Sequence, residues 1–344
     1  MTEPFQIALT ADFLRPDSRP AYADMGLDLF DQAAGRVAYR YFEAHQPEMT
    51  AQQVAGLDAV LCLTPRVTRA TLAGAERLKV IARFGVGYDS VDVPACTEAD
   101  VAVTITVGAV NYSVASSIVT FMLALAHRVM DKDRLVRQDR WSERSLYMGT
   151  ELRGKVAGIV GLGGIGKQVL RLLSGFGMAR PVACDPYLDA AQVEAAGARK
   201  VTLPDLLRQA DYVIVTCPLN DETRGMIGAA QLAAMKPSAY LINTARGGIV
   251  AELALAAALR ERTIAGAALD VFEQEPTDGD LPFAQLENVI LSPHSIAVTH
   301  ELAQDVGRMA CRQILNVAAG HKPDGLLNPE VWERPGFRKK LGLF

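Results

Sequence analysis

The chain has 344 residues, half of them hydrophobic, and a formal net charge of −4. That length exceeds one ordinary core, so two domains are expected, and the mildly acidic balance argues against a basic nucleic-acid-binding face. Five cysteines (Cys62, Cys96, Cys184, Cys217 and Cys311) lie far apart with no zinc spacing, which fits reduced thiols in a reducing, cytoplasmic compartment and no metal site.

The N-terminal stretch MTEPFQIALTADF has neither a basic n-region nor a long apolar segment, so no secretion signal is expected. Short apolar runs at Ile7–Thr10, Val37–Tyr41, Ala59–Leu63, Val80–Phe84 and Val101–Thr106 read as buried strands. Helical candidates such as Gln52–Gly56 and Arg69–Arg77 fall between them. A longer helix is expected at about Ser116–Met130, followed by a charged stretch, Asp131–Arg144. Its apolar part is too short for the ~20 residues of a membrane span and reads as a buried helix. A second alternating set begins at Lys155, with six strands at Val156–Val160, Val182–Asp185, Tyr212–Thr216, Tyr240–Asn243, Gly266–Asp270 and Val289–Ser292. Helices such as Ile165–Phe176 and Ala251–Glu261 separate them. An amphipathic helix at about His300–Ala319 ends before Gly320. The tail from Pro323 is expected to be irregular, and its Arg338-Lys339-Lys340 cluster solvated. The alternation predicts an α/β protein of two Rossmann-like, doubly wound parallel-sheet domains. Ligands of such sheets bind beyond the carboxyl ends of the strands.

The segment Lys155–Asp185 is the most informative. Gly161, Gly163 and Gly166 fill the three glycine slots of a dinucleotide turn between a strand and a helix. A pyrophosphate would sit on the helix N-terminus, where unpaired N–H groups and the dipole favour an anion. Asp185 ends the next strand at the distance where a carboxylate receives the ribose hydroxyls of NAD and repels the 2′-phosphate of NADP.

Three later strand ends carry an arginine, a carboxylate and a histidine: Arg246 in TARGG, Glu275 in VFEQEP and His294 in SPHS. Together they suit reduction of a 2-oxo acid. Arg246 offers a planar, permanently charged fork for the substrate carboxylate and polarises the adjacent carbonyl. His294 can give a proton to the forming alkoxide or take one back. Glu275 would hold the imidazole in orientation. A nicotinamide would carry the hydride chemistry.

These stretches resemble the D-isomer-specific 2-hydroxyacid dehydrogenase family over nearly the whole chain. The matching segments are GVGYDSVD (Gly85–Asp92), ELRGKVAGIVGLGGIG (Glu151–Gly166), CPLNDETRGMI (Cys217–Ile227), INTARGG (Ile242–Gly248), ALDVFEQEP (Ala268–Pro276) and SPH (Ser292–His294). The resemblance implies that Arg246, Glu275 and His294 are the catalytic trio. It places cofactor contacts at Gly164 and Ile165, Asp185, Thr216-Cys217-Pro218, Thr244-Ala245, Asp270 facing the nicotinamide amide, and the loop from His294 to Ala297. Val86 and Gly87 would bind the substrate carboxylate through backbone N–H groups. It further implies a flavodoxin-like substrate domain at 1–107 plus 298–344, a cofactor domain at 108–297, an active site in the cleft between them, and a homodimer built on the cofactor domains.

The chain departs from the family pattern in places. Gly164 stands where relatives often carry Arg or His, and Ser117 stands at an acidic position of the motif that Asn111 opens. Tyr88, Tyr112, Trp141, Tyr147 and Met148 are candidates for a side-chain pocket or for core or dimer contacts. With the sequence ending at Phe344, a serine-regulated long-type phosphoglycerate dehydrogenase is not expected. The expected activity is NAD-dependent interconversion of a D-2-hydroxy acid and its 2-oxo acid. The alternative is an NAD(H)-sensing corepressor-like binding protein of the same fold.

Overall fold

The computed structural model describes residues 3–343 and divides into two compact units, Met1–Val110 with Val298–Phe344, and Asn111–Ala297. The first holds a five-stranded parallel sheet of β1 (Phe5–Leu9), β2 (Val37–Tyr41), β3 (Ala59–Cys62), β4 (Val80–Arg83) and β5 (Ala102–Thr104), ordered β2-β1-β3-β4-β5. That is the flavodoxin-like order. Every residue of β3, β4 and β5 is buried, as parallel strands covered on both faces must be. Alternation sorts their side chains into two cores. Ile7, Leu9 and Leu61 enter one with the helix His300–Ala318, which contributes Ala310, Ile314 and Val317. Ala8, Val60 and Ile81 enter the other.

The tail is not irregular. Pro329–Glu333 forms a 3-10 turn and Pro335–Leu341 an α-helix that buries Phe337. Ahead of them, Leu326 pairs with Thr104 in an antiparallel bridge, and the Leu327 N–H donates to the Val103 carbonyl at 2.8 Å. Asn328 acts as a side-chain strand: its Oδ1 accepts the Val103 N–H and its Nδ2 donates to the Val101 carbonyl, each at 2.9 Å. The otherwise open edge of β5 is thereby covered. Nor is the whole basic cluster solvated. Lys340 Nζ donates to the carbonyls of Ala75, Leu78, Ala99 and Asp100 at 2.8–3.1 Å.

The second unit holds seven parallel strands rather than six. They are β6 (Ala157–Val160), β7 (Val182–Cys184), β8 (Arg199–Lys200), β9 (Tyr212–Val215), β10 (Tyr240–Asn243), β11 (Gly266–Leu269) and β12 (Val289–Leu291), ordered β12-β11-β10-β9-β6-β7-β8. The added strand β8 is two exposed, charged residues held by β7, so no apolar run announces it. Strand order reverses at β6, which lies between β7 and β9. The crevice beyond its carboxyl end is where such sheets receive dinucleotides.

The expected helix Ser116–Met130 begins and ends earlier, at Asn111–Ala126, and a second helix, Val129–Arg137, leaves at 58°. Arg128 makes the break at φ +53°, held by Asp131 at 2.9 Å and lying 4.7 Å over the Tyr147 ring. Asn111–Ala126 is a core helix, burying Ile118, Phe121 and Met122. Among the described residues no single helix is long and apolar enough to cross a membrane. The five cysteines are free.

Candidate active site

The glycine turn leaves β6 and enters the helix Gly164–Leu173. Gly161 has φ +89°, and a Cβ there would stand 2.8 Å from Cys217, so only glycine lets the two strand exits meet. A Cβ on Gly163 would meet open space. The unpaired N–H groups of the helix's first turn follow at once. At Gly164 the space of a larger residue is taken: a Cβ would lie 2.5 Å from Asn111 Nδ2. Gly164 therefore exchanges a side chain in the turn for an amide brought in from another helix.

Asp185 braces this turn. Its Oδ2 accepts the Leu162 N–H at 2.8 Å and its Oδ1 the Tyr187 N–H at 2.9 Å. Each oxygen keeps a lone pair for a further donor. Beside it opens a cavity of about 540 Å³ lined by Cys184, Asp185, Pro186, Lys200, Val201 and Thr202. Thr216 is committed to the turn itself, its hydroxyl donating to the Gly161 carbonyl at 2.5 Å. Cys217 packs there as an apolar group, its thiol pushed up to about 11 by burial. The Pro218 carbonyl accepts the Thr223 hydroxyl at 2.7 Å.

The exit of β10 is organised by Asn243, which the sequence reading overlooked. Its Oδ1 accepts the Ala245 N–H at 3.0 Å and its Nδ2 donates to the Arg246 carbonyl at 2.9 Å. An Asn ending a strand ahead of a Gly-Gly turn is the signal that was available. Thr244 Oγ1 is buried without a hydrogen-bond partner in the chain. Such a group calls for a ligand or water. Gly247 runs so close to the next strand exit that a Cβ would fall 1.8 Å from the Phe272 carbonyl oxygen. Arg246 is thus locked against the segment that carries Glu275.

Glu275 Oε1 accepts the Phe272 N–H at 2.8 Å, and its Oε2 faces His294 Nδ1 at 2.6 Å. Burial would raise this carboxyl. The hydrogen bond and charge of His294, the Phe272 N–H and the charge of Arg246 outweigh it, and hold Glu275 below its ordinary value. His294 sits at φ +52°, a conformation that costs a non-glycine residue about 1–3 kcal/mol and persists only where the surroundings hold it, here Glu275 and the loop tied by Asp270. Asp270, buried at the end of β11, fixes the loop beyond it: its Oδ1 accepts the Ser295 and Ile296 N–H groups at 2.9 and 3.0 Å. Ala297 closes the loop and the unit. With Nδ1 engaged by Glu275, the imidazole keeps Nε2 for chemistry.

The loop expected to bind a carboxylate belongs to the first unit. It follows β4, with Gly85 at φ +137°, and no group of the chain takes the N–H of Val86 or Gly87 among the described residues. Of the aromatic candidates, Tyr88, Tyr112 and Trp141 are exposed, as is Met148, while Tyr147 lies against Arg128.

These features fit NAD. The helix N-terminus, the open position at Gly163, the Asp185 carboxylate beside a cavity and the orphaned Thr244 hydroxyl all belong to one sheet's carboxyl end. Residues 119–295 match the model of the D-isomer specific 2-hydroxyacid dehydrogenase NAD binding domain. A glyoxylate reductase of Korarchaeum cryptofilum is 37% identical over 293 residues, 83% of this chain and 88% of its own. A D-3-phosphoglycerate dehydrogenase of Archaeoglobus fulgidus is 38% identical over 74% of this chain and 48% of its own. The crystal structure of a glyoxylate reductase from Paecilomyes thermophila superposes with a TM-score of 0.81 at 26% identity, covering 95% of this chain and 99% of that one. The crystal structure of a Thermus thermophilus protein gives 0.83 at 28% identity, covering 94% and 99%. The chain belongs to the D-isomer specific 2-hydroxyacid dehydrogenases, NAD-dependent oxidoreductases of the CH–OH group.

Proposed function

We propose that this enzyme interconverts a small D-2-hydroxy acid and its 2-oxo acid, with glyoxylate and hydroxypyruvate as the first substrates to test. The observation that carries the reading is the 2.6 Å pair of Glu275 and His294, set at strand exits of the sheet that also bears the glycine turn. NADH, when bound at the glycine turn, would supply the hydride for the carbonyl carbon. Arg246 binds the substrate carboxylate and polarises the carbonyl. His294 Nε2 delivers the proton that the new alkoxide requires, and takes it back in oxidation. Glu275 fixes the ring through Nδ1 and stabilises its protonated form. The loop after β4 offers backbone N–H groups, that of Val86 first, to a carboxylate. Asp185 would hold the ribose hydroxyls, the turn from Gly161 through Ile165 to Gly166 the pyrophosphate, and Thr244, Ala245, Asp270 and Ala297 the nicotinamide.

We also propose a homodimer through the second unit, in the cytoplasm. Its segment from Val129 to Met148 exposes Val129, Met130, Val136, Trp141, Leu146 and Met148, apolar side chains that a subunit interface would cover. Sedimentation tests the assembly, and a monomer at micromolar concentration would refute it. The activity is tested with a panel of 2-oxo acids against NADH and NADPH. His294→Asn should lower turnover by roughly two to four orders of magnitude while NADH binding stays near normal. An active variant would overturn the assignment of His294, and no NADH oxidation across the panel would favour the binding-protein alternative.

A further inference from the structure

The first unit holds a buried cation that the proposed chemistry does not use. Arg83 closes β4 and is 9% exposed. Its Nε donates to the Gly87 carbonyl at 3.1 Å. Its Nη1 reaches the Cys62 carbonyl and sulfur, each at 3.3 Å, and the Leu63 carbonyl. All of these acceptors are neutral, and among the described residues Arg83 makes no ion pair. Asp12, at the exit of β1, is instead taken up by Thr64: its Oδ2 accepts the Thr64 N–H at 2.9 Å and the Thr64 hydroxyl. A guanidinium ringed by carbonyls is hydrogen-bonded, yet it keeps its net charge, and a buried charge is costly unless an anion answers it.

Two contacts, one of them made by Arg83, set the direction of the loop's amides. The Gly85 carbonyl accepts the Thr106 N–H at 3.0 Å, and the Gly87 carbonyl accepts Arg83 Nε. In a trans peptide the carbonyl and the following N–H point oppositely. Pinning those two carbonyls therefore turns the N–H groups of Val86 and Tyr88 to the other side of the loop. No acceptor in the chain takes either among the described residues.

We infer that Arg83 is a positioning residue for substrate: by holding the Gly87 carbonyl it turns the Tyr88 amide, beside that of Val86, toward a carboxylate, with Tyr88 in place of the expected Gly87 as second donor, and its own charge adds to the attraction. This rests on the reading of that loop as the carboxylate-binding loop. A residue that serves the structure alone would move stability and every kinetic constant together. Arg83 should instead split them.

The test compares wild type, Arg83→Met and Arg83→Lys by NADH-dependent glyoxylate reduction, NADH fluorescence titration and thermal melting. For Arg83→Met, KM for glyoxylate should rise roughly tenfold or more, while kcat stays within about threefold and the NADH Kd within about twofold. Arg83→Lys, which retains charge without the fork, should fall between. A folded Arg83→Met with wild-type KM would overturn the inference, as would parallel loss of kcat, KM and NADH affinity. Should Arg83→Met not fold, Arg83→Lys decides: a raised KM with NADH affinity retained supports the role, and an unchanged KM refutes it. If the wild type reduces no 2-oxo acid, it is the activity that fails. Calorimetric titration of the NADH complex with oxalate then reads Arg83 separately, with weaker binding to the variants as support and equal binding as refutation.

Discussion

Replacing Glu275 by Gln isolates what the carboxylate charge does for His294. Glutamine keeps the size of the side chain but has one acceptor oxygen in place of two. That oxygen can serve the Phe272 N–H, now at 2.8 Å, or His294 Nδ1, now at 2.6 Å, but not both. The other position becomes an NH₂ group facing a donor. A hydrogen bond to a charged group contributes about 1.5–3 kcal/mol. Here the side chains are 34% and 47% exposed, so solvent screening favours the lower half of that range, about 1.5–2 kcal/mol. That corresponds to a ~10- to 30-fold loss of kcat/KM. NADH oxidation with a 2-oxo acid measures it, and NADH titration should give an unchanged Kd. The pH profile carries a second signature. Because Glu275 is held below its ordinary value, the wild type should keep activity to the acid side of the usual carboxylate range, and this limb should vanish in the variant. The corresponding stability is complete above the unfolded value of about 4.3 and is lost as pH falls through the lower folded value. Wild-type kcat/KM in the variant, or an equal fall in NADH affinity, would refute the reasoning.

Asp185→Ala should weaken NADH binding and narrow the preference over NADPH, since Arg199 and Lys200 line the same cavity; an unchanged preference in paired titrations would place discrimination elsewhere. Gly247→Ala should abolish activity and lower thermal stability, because its methyl would lie 1.8 Å from the Phe272 oxygen and the Arg246 segment must move; melting and turnover report both. Lys340→Met strands four carbonyls under the C-terminal helix and should cost about 1–3 kcal/mol, roughly 2–10 °C in Tm, without altering KM.

The β/α alternation was readable because parallel strands are buried on both faces and so appear as apolar runs; β2 and β10 fall at the expected residues. β8 was not readable, for the opposite reason: two exposed charged residues at a sheet edge carry no pattern, and only the neighbouring strand makes them one. The break at Arg128 was equally hidden, since a left-handed arginine is selected by its contacts with Asp131 and Tyr147 rather than by local propensity.

The sequence by itself determined the chemistry available: a glycine turn backed by an acid, and an arginine, a carboxylate and a histidine after successive strands. These are local facts, written in residue type and spacing. Tertiary structure decided how those groups are held. Asn243 clasps the Arg246 turn, Asp270 ties the loop after His294, Asn111 fills the space that Gly164 leaves, and the tail closes the edge of β5. Each is made by a residue that is polar or small and carries no periodic signal. Their partners lie up to 227 residues away in the chain, and folding alone selects them.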